Sequence, residues 1–153
     1  MTGLPAPSPL EAHLGYWLRM VSNHVSHAFK AKVEAQGVTV AEWVILRALF
    51  DQPPARPSEV AERVGLTRGA VSKLVDRLVA KRLMTCEADE HDRRAQRLAL
   101  TAAGRRLVPR LAALADQNDA EAFSALGAGE RAALLDTLQQ LVRAHDLRAA
   151  PLE

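Results

Sequence analysis

Apolar residues recur every three or four positions along the first part of the chain: Leu14, Leu18, Val21, Val25 and Phe29. That spacing lines one face of a long helix and predicts one from Leu10 to about Gln36, ended by Gly37. Thr39 stands where an N-cap is needed for a second helix through Trp43, Leu46 and Leu49. Gln52-Pro53-Pro54 stops that helix, because proline has no N–H for the hydrogen-bond ladder. A third helix of about two turns is expected from a Ser58 cap, with Glu59 and Glu62 behind it, to Gly65. Thr67 then caps a fourth, from Arg68 to about Lys81, with Val71, Leu74, Val75 and Leu78 inward and Arg68, Ser72, Lys73 and Arg77 outward. Two short helices separated by Gly65-Leu66-Thr67 make a helix-turn-helix.

After Arg82 the period changes. Met84 to Glu87 predicts a short strand, Ala88 to Arg93 a polar tip, and Gln96 to Leu100 a second strand with Leu98 and Leu100 on one face. Together they form a β-hairpin, the wing. Thr101 caps a fifth helix through Leu107, Leu111 and Leu114, and Leu126-Gly127-Ala128-Gly129 separates it from a sixth carrying Leu134, Leu135, Leu138, Leu141 and Val142. The expected fold class is therefore mainly α with a small β-hairpin: six helices and one wing.

At 153 residues and 48% apolar content, the chain is expected to form a single domain over residues 1–153 with a real core. No run of about 18 apolar residues suggests a membrane span, and Met1 to Pro9 lacks the charged start and apolar stretch of a secretory signal. These features point to the cytoplasm. The single cysteine, Cys86, leaves no intrachain disulfide, which fits a reducing compartment. Net charge is only +2, but residues 56–110 hold 13 Lys/Arg against 7 Asp/Glu, while the rest of the chain is acidic on balance. The positive charge is concentrated where the helix-turn-helix and hairpin lie.

A helix entering the major groove of DNA needs small or hydrogen-bonding side chains at its N-terminal end, so that the backbone approaches and base edges are reached. Thr67, Arg68, Gly69, Ala70, Ser72 and Lys73 supply that mixture: Arg68 or Lys73 to donate to guanine, Thr67 and Ser72 to reach phosphate or base. Ser58 could donate to a phosphate facing the N-terminus of the preceding helix. At the hairpin tip Arg93 and Arg94 suit a narrow minor groove. Asp92 would repel phosphate, and its better use is to accept from an arginine and aim it.

The run from Asp92 to Thr101 resembles the D-x-R…L-T wing signature of the MarR-type regulators. Ser58-Glu59-Val60-Ala61, Gly65-Leu66-Thr67, Val71 to Leu78 and Lys81-Arg82-Leu83 resemble that family's helix-turn-helix. The resemblance implies a winged helix-turn-helix lobe over residues 39–101 and a helical dimerisation region over residues 10–36 and 102–147. It also implies a homodimer on a pseudopalindromic double-stranded operator, and repression relieved by a small molecule or oxidant. Carried over, it gives Thr67, Arg68, Ser72 and Lys73 to the major groove, Arg94 to the minor groove with Arg93 as its competitor, and Asp92 as the orienter; Ala70 and Arg77 on the same helix are also expected at the DNA.

Members of that family commonly hold ligands where the first two helices and the fifth meet. Trp17, Met20, His24, Trp43 and Arg47 are the expected lining here, and aromatic walls with one cation suit a small planar or anionic effector. Both tryptophans also suit a plain core role. His24 and His27 lie three apart on a helix, but no thiolate or acidic third ligand accompanies them, so no metal and no cofactor is expected. Cys86 falls in the wing, whereas redox-sensing members of the family use a cysteine in the first helix. Its acidic neighbours Glu87 and Asp89 are expected to raise its pKa. Catalysis is not expected: there is no Gly-rich phosphate loop, H-E-x-x-H or nucleophile elbow. A protein-interaction module that had lost DNA binding would lack the wing arginines, yet Arg93, Arg94 and Arg97 are all present.

Overall fold

The computed structural model describes residues 3–152; Met1 and Thr2, at the start of the segment read for a signal, and Glu153 lie outside it. A 3-10 turn at Leu10–Ala12 precedes α1 (Leu14–Glu34), α2 (Val40–Phe50), α3 (Pro57–Val64) and α4 (Arg68–Ala80). Strands β1 (Met84–Ala88) and β2 (Gln96–Leu100) follow, then α5 (Ala102–Ala122) and α6 (Ala128–Ala144). Six helices and one hairpin are therefore what the hydrophobic pattern predicts.

Three threonines start three of the helices. Each accepts, at 3.1 Å, the backbone N–H three residues on: Thr39 from Glu42, Thr67 from Ala70 and Thr101 from Gly104. Gly65 ends α3 in the left-handed conformation, φ 67°, and the Leu66 N–H closes the turn on the Ala61 carbonyl at 3.0 Å.

Some boundaries differ from expectation. The first helix starts at Leu14, because His13 is extended and separates it from the 3-10 turn. Ser58 is not the cap of α3. Pro57 occupies the first helical position, where its fixed φ suits the helix and its missing N–H is not needed, so Arg56 becomes the cap residue. The Arg56 N–H is taken by the Glu59 carboxylate at 3.2 Å. Ala128 and Gly129 lie inside α6, whose cap residue is Gly127.

One core joins α2 to α5 and the wing: Ile45, Leu46, Val60, Val71, Leu78, Met84, Leu98 and Leu111 are all essentially sealed from water. In the hairpin Met84 stands opposite Leu100 and Cys86 opposite Leu98. Ala55, in the loop before α3, pairs with Leu98 through two backbone hydrogen bonds of 2.8 and 3.1 Å, so the loop acts as a third strand at the wing's edge. On α2, Glu42 is only 1% exposed and accepts from Lys81 Nζ at 2.7 Å. That lysine also donates to the Gly37 carbonyl at 2.9 Å, tying the end of α4 to the start of α2.

The helices outside this lobe are packed differently. Asn118 on α5 is buried and bridges to α1, donating to the Val25 carbonyl at 3.2 Å and accepting from Lys32 Nζ at 3.0 Å. Of the predicted apolar face of α1, however, only Val25 and Phe29 are half-buried; Leu14, Leu18 and Val21 are 81%, 48% and 49% exposed. No residue of α6 is buried, and Leu135, Leu141 and Val142 stand open to water. No helix among the described residues is long and apolar enough to cross a membrane.

Removing the Glu42 carboxylate leaves Lys81 and the Thr39 N–H without that acceptor. Glu42→Ala is expected to lower unfolding stability by about 2 kcal/mol, measured by urea denaturation at fixed protein concentration; a change within about 0.5 kcal/mol would remove the tie from the account of stability.

Candidate DNA interface and ligand cavity

The recognition side of α4 is built by segregation. Val71, Leu74, Val75 and Leu78 sink into the core, which turns Arg68, Gly69, Ser72 and Lys73 to solvent. Ala70 is half-buried between the two sides. Thr67 uses its oxygen to accept the Ala70 N–H, and its own O–H is left to donate. Ser58, now the second residue of α3, is half-buried near that helix's N-terminus. Arg77 is exposed one turn beyond Lys73, and it also lines the large cavity described below.

Ion pairing separates two sets of cations. Arg47, Arg56, Arg97, Arg131 and Arg148 each have a carboxylate within 4 Å. Among the described residues, Arg68, Lys73, Arg77, Arg93 and Arg94 make no such pair, so their charge remains available to phosphate or base.

At the wing the expected aiming pair is not the one formed. Asp92 accepts the backbone N–H of Arg94 at 3.0 Å and no guanidinium; the requirement of the tight turn for an acceptor wins locally. The carboxylate that does hold arginine is Asp89, 3% exposed, which accepts from Arg97 Nε at 2.8 Å and has Arg56 at 3.8 Å. The His91 N–H donates to it at 2.8 Å, and Arg97 also donates to the Pro54 carbonyl at 3.1 Å. This clamp fastens the wing to the entrance of α3. The His91 N–H first, and the Arg97 hydrogen bond next, hold the Asp89 carboxyl below its ordinary pKa. The register would suggest Glu87, which stands opposite Arg97, as the partner; only the approach of the loop at Pro54 reveals Asp89.

Cys86 is half-buried opposite Leu98, and its thiol pKa is raised, as expected. The cause differs: burial acts first and Asp76 second, rather than Glu87 and Asp89.

Between α1, α2, α4 and α5 lies an open cavity of about 920 Å³. Of the five residues expected to line it, only Trp43 does, together with Phe29, His27, Lys30 and Arg77. Trp17, Met20 and His24 share the opposite face of α1 from Ser22, Val25 and Phe29, as their spacing of three and seven dictates. The Trp17 indole N–H donates to the Glu11 carbonyl at 2.9 Å and its ring meets Tyr16 edge-on at 5.4 Å. Arg47 is held by Asp51 at 2.8 Å and lies over the Phe50 ring. Among the described residues no three His, Cys, Asp or Glu side chains are grouped as a metal site requires.

A helix-turn-helix followed by a two-stranded wing, with unpaired cations on the recognition helix and wing tip, defines a winged-helix transcriptional regulator. The sequence profile of the MarR family matches residues 36–95 of this chain. The chain is similar to the HTH-type transcriptional repressor NicR of Pseudomonas putida, 26% identical over 136 residues, which cover 89% of this chain and 86% of that one. Among solved structures it resembles BpsR of Bordetella bronchiseptica, whose DNA binding is regulated by 6-hydroxynicotinic acid. The TM-score is 0.77 at 27% identity, covering 89% of this chain and 97% of BpsR. It equally resembles the PcaV regulator of Streptomyces coelicolor, solved with its natural ligand, with TM-score 0.77 and 27% identity over 92% of this chain and 99% of PcaV.

The Asp89 clamp generates two expectations. Asp89→Asn is expected to leave helical content unchanged and to raise amide exchange across residues 89–97; unchanged exchange would show that the wing does not depend on it. Because the folded-state pKa is depressed, the stabilisation is present above the ordinary carboxylate value of about 3.9. It is lost only as pH falls through the depressed one, so the wild-type wing is expected to loosen by the same measure in acid and not between pH 5 and 8.

Proposed function

We propose that the protein is a homodimeric, cytoplasmic repressor of transcription that reads a pseudopalindromic operator and is released by a small aromatic or anionic effector. The observation that carries this reading is the division of the cations: those at the recognition helix and wing tip are unpaired, while Arg56 and Arg97 behind them are consumed in structure. Arg68 and Lys73 donate to base edges in the major groove, Thr67 and Ser72 to base or phosphate, and Ala70 allows close approach. Ser58 and Arg77 reach phosphates, Arg94 enters the minor groove with Arg93 beside it, and Asp92 shapes the turn that presents them. Residues 39–101 form the reading lobe, and residues 10–36 with 102–147 the dimerisation region. The bare apolar faces of α1 and α6 favour that division, since a second copy would cover them.

The effector reading rests on the cavity, whose wall holds Trp43, Phe29 and the unpaired Arg77, with Lys30 facing Glu34 at 3.9 Å; rings beside one free guanidinium suit a planar anion. The regulation of BpsR by 6-hydroxynicotinic acid and the ligand complex of PcaV make such an effector class natural here. Arg77 belongs to both surfaces, so an occupant of the cavity would act directly on the recognition helix.

The test is binding to duplex DNA flanking the protein's own coding region, across a salt series. Lys73→Ala is expected to weaken binding by about 1–3 kcal/mol and to relax preference at one base position. Arg94→Ala is expected to weaken it with the fold unchanged and to flatten the salt slope by about one. Sequence-indifferent binding by the wild type, or wild-type affinity in Arg94→Ala, would sink the specific-repressor reading.

A further inference from the structure

Beyond α6 the chain folds back onto its own helix-turn-helix. Asp146 takes up left-handed backbone, φ 50°, and pairs with Arg148 through contacts of 2.9 and 3.0 Å, while the Leu147 N–H returns to the Val142 carbonyl at 3.0 Å. Three residues later the Ala150 N–H donates to the carbonyl of Val64, the last residue of α3, at 2.9 Å. Ala150 itself packs against the edge of the core. The backbone of Arg148 and Ala149 crosses Gly65 so closely that a Cβ there would strike the Arg148 carbonyl group and lie 2.9 Å from the Ala149 Cα. Gly65 is thus required twice, once by its left-handed backbone and once by the chain lying on it. Pro151 and Leu152 then join the wall of the cavity shared with Trp43 and Arg77.

We propose that residues 147–152 are a strap that positions the recognition helix relative to the dimerisation region. No residue of α6 is buried, so α6 has little hold of its own on the reading lobe. The strap supplies one, at the turn from which α4 begins. With the turn fastened to α6, the position of each reading head is tied to the arm that carries the partner, and so is the separation of the two heads. Arg148, Ala149 and Ala150 are then positioning residues for DNA reading, although none touches DNA. The inference rests on the dimeric DNA-binding reading above.

The test compares the full chain with a variant lacking residues 149–153 and with Ala150→Pro, which removes the donating N–H. Each is titrated against duplexes selected from a random pool by the full chain, and against the same duplexes with the half-site spacing changed by one or two base pairs. The full chain is expected to reject altered spacing sharply. The strap variants should lose about tenfold on the selected spacing, as an unfastened head must be ordered on binding, and should discriminate less between spacings. Variants that match the full chain at every spacing, or that only melt earlier with the spacing profile intact, overturn the proposal. In the DNA-free protein the Ala150 amide is expected to be protected from hydrogen exchange, and free exchange overturns it too. Because that measurement needs no DNA, a protected amide in a protein that selects no duplex defeats the regulator reading rather than the docking of the strap.

Discussion

A carboxylate taken out of water must be met by cations and donors, or it destabilises the fold that buries it. The lobe of residues 39–101 buries two, Glu42 and Asp89, and their compensation places the recognition helix and the wing. Glu42 draws Lys81 across from the end of α4, which fixes the far end of the recognition helix against the start of α2. Asp89 draws in Arg97 and stands beside Arg56, which fixes the wing against the start of α3. Between these ties run the backbone bonds of Ala55 to Leu98, so wing and helix-turn-helix share one core.

The same compensation explains how a nearly neutral chain carries a basic working face. Acidic side chains inside the lobe hold Arg56, Lys81 and Arg97 in structural pairs, and those they do not hold include every cation of the recognition helix and the wing tip. Neutralising the whole surface would have stabilised little, since exposed pairs are weak. Leaving selected arginines unpaired keeps them free for the phosphate backbone, where displaced counterions supply the driving force.

Much of the fold is legible in local sequence because its determinants are local. Thr39, Thr67 and Thr101 cap helices that begin one residue later, Gly65 turns the chain, and Leu98 and Leu100 declare the wing's inner face by alternation. What could not be read depends on distant segments meeting. Asp92 was the natural partner for a wing arginine, yet Asp89 holds one, because the loop at Pro54 and Ala55 closes over it. The lining of the large cavity differs from the expected one for a related reason. A helix with apolar residues on two sides does not state which side its own chain will cover, and Trp17, Met20 and His24 lie on the uncovered one. The strap has no periodicity at all, and its only sequence trace is a glycine already explained by the turn.

The bare faces of α1 and α6 bear on how much of the protein a cell must contain. An apolar surface covered only by a second copy is stabilised by mass action, and its burial fades on dilution. Wherever dimers come apart, the species that fits two half-sites declines with the square of protomer concentration. Operator occupancy then drops more steeply than protein level does. Under the dimeric reading proposed above, the uncovered stripe of leucines would act as a gauge of abundance, setting a copy number below which two half-sites are no longer filled together.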